Sequence, residues 1–191
     1  YGCSGFKGDL DISSIKVIDD HAFHGCSGFT NKLNISSVRV ICDGDFIGCT
    51  GFTSLEFPEN ISIIGNNIFQ DCYGLKGELS IPNTVKSIGD YAFCCCSNFS
   101  CSLTIPDKVT SIGDYAFYNC TNFFDSLIIG DNVVTIGRKT FYKCYNLCNE
   151  LNISSSLVFI GDEAFSGCSQ INSVIFPISN LAMISNGLFE N

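Results

Sequence analysis

The sequence predicts an α/β repeat solenoid of about eight turns, forming a single domain over residues 1–191. Three observations carry the prediction. A Phe-x-x-Cys step recurs at Phe23-Cys26, Phe46-Cys49, Phe69-Cys72, Phe93-Cys96, Phe117-Cys120, Phe141-Cys144 and Phe165-Cys168, with successive cysteines 23 or 24 residues apart. All four prolines (Pro58, Pro82, Pro106 and Pro177) fall in one column of this repeat. No linker, charge run or low-complexity tract interrupts the array. One such unit cannot bury its own apolar face, whereas stacked units share one continuous core.

Each element follows from the repeat in chain order. Leu-x-Ile, as in Leu79-Ser80-Ile81 or Leu103-Thr104-Ile105, is a short strand with both apolar residues on one face, because strand side chains alternate. The proline that follows ends the strand, since it donates no ladder hydrogen bond. Parallel strands of this kind are expected to line a concave face. The glycine column (Gly65, Gly89, Gly113, Gly137, Gly161) predicts a turn with unusual backbone angles. Asp90, Asp114 and Asp162 come next and predict caps for the first turn of a short helix. Phe, Cys and the next Phe or Leu then fall at i, i+3 and i+6, which predicts short 3₁₀ or α segments on the convex side. Phe93, Phe117, Phe141 and Phe165 are predicted to be fully buried and stacked. The first two complete turns are one residue shorter between strand and Val column (Ile12 to Ile15, Ile35 to Val38), so the amino-terminal end is the least regular.

The full repeat, Leu-x-Ile-Pro-x-x-Val-x-x-Ile-Gly-x-x-Ala-Phe-x-x-Cys-x-x-Leu, resembles the leucine-rich repeats and, within them, the BspA-like subfamily. The match runs from Cys3 to Phe189. Some units depart from it: Asp19, Cys42 and Ser185 replace the turn glycine, and Asp45, Ile68, Thr140 and Leu188 replace the small Ala. The resemblance implies a leucine-rich-repeat solenoid. It also implies a surface protein of the kind found in mucosal protists and anaerobic bacteria, implicated in adhesion to host cells or matrix. The chain starts and stops inside a unit, so a fragment of a longer array is expected, with end-to-end self-association through its open ends.

Thirteen cysteines raise the question of chemistry. Eight of them (Cys3, Cys26, Cys49, Cys72, Cys96, Cys120, Cys144, Cys168) occupy one column. They read as a ladder of buried thiols, the usual behaviour of free Cys; disulfides between neighbouring turns are the alternative, since roughly 5 Å stacking lies within disulfide range. Of the remaining five (Cys42, Cys94, Cys95, Cys101, Cys148), Cys94 and Cys95 align with Tyr118 and Asn119 and are expected to point outward. No paired Cys-x-x-Cys or Cys/His set suggests zinc. His21 and His24 lie three apart near Asp19 and Asp20, and read as exposed polar residues rather than ligands or acid–base groups. Asp45 stands in the Ala column and is expected to bond backbone donors beside Cys42, Asp43 and Gly44, because a buried unpaired carboxylate is expensive. No nucleophile elbow, phosphate loop or dinucleotide fingerprint occurs. Neither an enzyme nor a cofactor is therefore expected.

Charge and hydropathy narrow the function further. Net charge is −9, which argues against nucleic acid and against docking on anionic lipid. No apolar run approaches the roughly 18 residues of a membrane span. The reading is a non-catalytic binding module for a protein or glycan ligand on a host cell or matrix, placed at the cell surface or secreted by resemblance. An intracellular scaffold in the cytoplasm is the alternative. Glycosylation tripeptides at Asn34, Asn60, Asn98, Asn119 and Asn152 fit the surface reading. The residue between the two inward positions of each strand must face out, where the repeat no longer dictates identity. The candidate ligand-binding residues are therefore Asp11, Asn34, Glu56, Glu78, Ser80, Thr104, Ile128, Asn152 and Ile175. Asp9, Lys32 and Glu150, just before the strands, share that face. Its acids suit a basic or amphipathic partner.

Overall fold

The computed structural model describes residues 2–147, 149–176 and 183–190; Cys148 and Pro177, two residues singled out above, lie outside the described residues. In chain order the strands are β1 (Asn31–Asn34), β2 (Phe52–Glu56), β3 (Ile63–Ile64), β4 (Ser87–Ile88), β5 (Leu103–Ile105), β6 (Ser111–Ile112), β7 (Leu127–Ile129), β8 (Thr135–Ile136), β9 (Glu150–Asn152), β10 (Phe159–Ile160), β11 (Ser173–Ile175) and β12 (Met183–Ile184). Every pairing is parallel. The chain is a leucine-rich-repeat solenoid whose turns stack along one axis.

The strands divide between two columns. The Leu-x-Ile column supplies β1, β2, β5, β7, β9 and β11, which pair as β1–β2, β5–β7 and β9–β11. Its alternation is as predicted: Leu103 and Ile105 are buried with Thr104 exposed between them, and Leu127, Ile128 and Ile129 repeat the pattern. The unbroken sheet lies in the other column, just before the glycines, with order β12-β10-β8-β6-β4-β3. There Ile64, Ile88, Ile112, Ile136 and Ile160 point inward. Six turns therefore stack in continuous register, where eight were expected. In the strand regions the first two turns are joined to each other by isolated bridges, Gly8 to Phe29 and Val17 to Val40.

Phenylalanine is the spine of the core. Phe69, Phe93, Phe117, Phe141 and Phe165 are all buried, with neighbouring ring centroids 5.1 to 5.5 Å apart. A second column meets it edge-on, as at Phe93–Phe99 and Phe117–Phe123. Beside the rings runs the thiol ladder. Cys72, Cys96, Cys120 and Cys144 each donate to the carbonyl of the phenylalanine in the preceding turn, at 3.0 to 3.2 Å. They are thiols rather than inter-turn disulfides. Burial pushes Cys49 up to about 12 and Cys72 well above the ordinary thiol range.

The predicted convex helices are absent from the described residues, and the backbone shows why. Each turn carries two left-handed corners four residues apart, such as Tyr91 (φ 55°) and Cys95 (φ 61°), or Tyr115 (57°) and Asn119 (58°). A left-handed residue at every fourth position stops a right-handed helix from propagating. The corner amides point along the axis instead. Tyr115, Phe117 and Asn119 donate to the carbonyls of Arg138, Thr140 and Tyr142 in the next turn. The i, i+3, i+6 spacing thus belongs to a corner ladder rather than to a helix.

Two further expectations need correction. The glycine column has no left-handed φ at Gly65, Gly89, Gly113, Gly137 or Gly161. Its glycines are there for close approach: a Cβ on Gly113 would lie 2.6 Å from both the Asp90 nitrogen and the Gly89 carbonyl carbon. The aspartates that follow do not cap their own turn. Asp90 accepts from the Asp114 N–H at 2.8 Å and Asp114 from the Arg138 N–H at 2.7 Å, so each carboxylate ties its turn to the next. Asp43, Asn66 and Asp162 do the same.

Candidate ligand-binding face

The outward residues of the Leu-x-Ile column lie where strand alternation puts them. Asp11, Asn34, Glu78, Ser80, Thr104, Ile128, Asn152 and Ile175 are exposed. Glu56 is half-buried and ion-paired with Lys32, its Cα-paired neighbour's predecessor on β1 by two residues. That pair removes the one cation from the face and leaves Asp9, Asp11, Glu78 and Glu150 as its remaining carboxylates. Asp11 accepts from the Ser13 N–H, which holds its carboxyl below the usual range.

Two parts of this face have shape. Glu78, Ser80 and Thr104 come together around a depression of about 220 Å³, between the turn at 78–83 and β5. Toward the carboxyl end the face turns apolar. Ile128 is 54% exposed and Ile175 51%, with Asn152 paired in register against Ile175. Phe124 and Phe176, also exposed, were not singled out by the sequence. Phe176 stands in the inward Ile column, which is why alternation alone did not find it.

A larger groove of about 820 Å³ lies beside β2, lined by Lys16, Arg39, Glu56, Glu59 and Phe57 among others. It opens where the repeat changes length. Ile35 to Val38 is one residue shorter than Phe57 to Ile61. The readable signal was that shift in spacing. On the outer corners, Tyr91 stacks on Tyr115 at 4.7 Å and Tyr118 on Tyr142 at 5.2 Å. Arg138, Lys139 and Lys143 sit over these rings, away from the Leu-x-Ile strands.

The amino-terminal cluster is more closely packed than expected. His21 and His24 are half-buried, not exposed, with rings 5.7 Å apart. His21 packs against Gly44, where a Cβ would come within 2.7 Å of its Nε2. Asp45 is fully buried and accepts from the Cys42 N–H at 2.7 Å and the Ala22 N–H at 3.4 Å, the backbone satisfaction anticipated for it. Burial, reinforced by Asp20, lifts its carboxyl to about 6. The ligand atoms of Asp19, Asp20 and Cys42 lie within 4.8 Å of one another on the exposed rim. Cys94 is a further correction. It is buried, and only its neighbour Cys95 reaches the surface.

Comparison with known proteins follows this geometry. A leucine-rich repeat protein of T. pallidum has 28% sequence identity and a TM-score of 0.70, over 82% of this chain and 71% of that one. A leucine-rich cell surface protein of Faecalibacterium prausnitzii has 25% identity and a TM-score of 0.64, over 92% of this chain and 56% of that one. A search among curated proteins found no match. The family model for the BspA type leucine-rich repeat region matches residues 16–101 and 99–191, in six copies. With that coverage, and with the Phe and Cys columns stacked as the repeat requires, the chain belongs to the BspA-type leucine-rich repeat family.

Proposed function

We propose that the chain is a non-catalytic binding module of a cell-surface adhesin or receptor-like ectodomain, engaging a host-cell or matrix protein, or its glycan, through the Leu-x-Ile face. The observation that carries this reading is the outward row itself. Its side chains are free of the repeat's packing demands, and it holds Ile128 and Ile175 more than half exposed beside polar neighbours. Ile128 and Ile175 give this face exposed apolar surface, and the carboxylates Glu78 and Glu150 suit a basic or amphipathic partner. The cell-surface name of the F. prausnitzii protein supports the location. No helix among the described residues is long and apolar enough to cross a membrane.

The test is binding of the recombinant chain to host cells and to matrix extract. Covering two isoleucines contributes about 1.5–3 kcal/mol each, so replacing both Ile128 and Ile175 with Ser should weaken binding at least about tenfold. Glu78→Lys should weaken binding to a basic partner and reduce its salt dependence. Folded variants that bind as the wild type does would move the site off this face.

A further inference from the structure

The Cys94–Cys95–Cys96 run is not used by the binding face, and its three thiols have three different fates. Cys96 belongs to the buried ladder and donates to the Phe69 carbonyl. Cys94 is buried beside it, and its Sγ donates to the Cys95 Sγ across 3.7 Å. Cys95 sits on a left-handed corner and is half-buried. From the next turn, the Asn119 side-chain amide donates to the same sulfur at 3.9 Å. From the preceding turn the Asp71 carboxylate, held by the Tyr73 hydroxyl and the Gln70 amide, opposes them and favours the Cys95 thiol. Two donors thus converge on the sulfur of one half-buried cysteine, and one of them is itself a thiol.

We propose that Cys94 and Cys95 form a redox-active dithiol that a hydroperoxide closes into a disulfide. The Cys95 thiolate attacks the terminal peroxide oxygen; the O–O bond breaks and leaves as alkoxide or hydroxide, which takes a proton from water. Cys95 is then a sulfenic acid. The Cys94 sulfur attacks the Cys95 sulfur, the S–O bond breaks, and the departing hydroxide takes the Cys94 proton as water. Two electrons leave the sulfur pair and reduce the hydroperoxide. Adjacent Cα atoms are about 3.8 Å apart, closer than disulfides prefer, so the closed form is strained and small thiols reopen it.

The two thiols are driven apart: the hydrogen bond to Cys95, with burial, pushes Cys94 far up and keeps it protonated until Cys95 is oxidised. The hydrogen bond from Cys94 is the largest influence on Cys95 and, with that from Asn119, outweighs burial and Asp71 to bring its thiol down to about 7. Burial pushes Cys42 and Cys101 up instead. At pH 7 Cys95 therefore holds a larger thiolate fraction than an ordinary thiol of the same accessibility. The larger thiolate fraction outweighs its lower intrinsic nucleophilicity, so it reacts several-fold faster.

The experiment treats the whole chain with hydrogen peroxide at pH 7, quenches with iodoacetamide and maps peptides by mass spectrometry. The peptide holding residues 94–96 should lose two hydrogens before Cys42 or Cys101 is oxidised, and dithiothreitol should restore it. In Cys94→Ala, Cys95 should stop at sulfenic acid and be trapped by dimedone. In Cys95→Asn, which keeps a residue suited to the corner, Cys94 should stay reduced. Circular dichroism checks that both variants fold. Oxidation of Cys95 no faster than of Cys42, or equal dimedone trapping in the wild type and in Cys94→Ala, would overturn the proposal.

Discussion

Replacing Gly113 with Ala asks why glycine recurs just before the aspartate corner. Where the backbone is compatible, Gly→Ala stabilises by about 0.4–1 kcal/mol, because the unfolded chain loses freedom. At Gly113 the φ is compatible but the space is not. The new Cβ would lie 2.4 Å from the Asp90 carboxylate oxygen and 2.6 Å from two backbone atoms. A side-chain oxygen can swing aside, but backbone cannot. Restoring ordinary contact near 3.5 Å requires the two turns to part locally by roughly 1 Å. That stretches the Gly113 N–H bond to the Ile88 carbonyl and the Asp114 N–H bond to the Asp90 carboxylate, both 2.8 Å. A neutral hydrogen bond contributes about 1 kcal/mol and a charged one about 2. Less the entropic gain, Gly113→Ala should destabilise by about 2–3 kcal/mol in urea melts followed by circular dichroism. Gly48 supplies the contrast. Its φ is +67°, yet a Cβ there meets nothing nearer than 3.8 Å. Gly48→Asn should therefore be nearly neutral, since Asp71 and Asn119 already hold that corner in other turns. If Gly113→Ala is neutral or stabilising, the close-approach account is wrong.

Two other outcomes follow from the core. Phe117→Ala, which deletes a fully buried ring stacked on both sides at 5.3 and 5.4 Å, should lose about 3–5 kcal/mol in the same melts; a loss below about 1 kcal/mol would contradict the packing. Asp45 has a folded pKa of about 6, raised from 3.8, so the unfolded chain releases its proton first as pH rises. Its contribution therefore falls between pH 4 and 6 and the penalty stays in place above that, at about 1–3 kcal/mol. Relative to wild type, Asp45→Asn should gain stability on going from pH 4 to pH 7, and parallel pH profiles for the two would refute the assignment.

Much of this molecule is legible in the period alone. Phe93, Phe117 and Phe141 recur every 24 residues, and a repeat that stacks must put them in register. Thr104 and Ile128 face outward because they sit between two inward residues of one strand. What the period hides is the reason behind a column. Gly113 showed that a Cβ was unwelcome, but a left-handed φ and a crowded neighbour leave the same mark. The corners at Tyr115 and Asn119 were invisible because neither is glycine, and their left-handed backbone is compensated by hydrogen bonds to the next turn. Cys94 was misplaced by aligning it with Tyr118 and Tyr142. A long ring reaches the surface from that position and a short thiol does not. The depression around Glu78, Ser80 and Thr104 depends on where a strand ladder lapses, which side-chain pattern does not encode.

The corner ladders and the axial aspartate bonds have a mechanical consequence. Nearly every link that holds one turn to the next runs parallel to the solenoid axis, so a load applied along that axis opens them in series. The array should not stretch evenly; it should surrender one coil at a time. Each coil of 24 residues pays out roughly 80 Å of slack at about 3.4 Å per residue. A stack of this kind yields in small steps under tension while its remaining coils keep their shape.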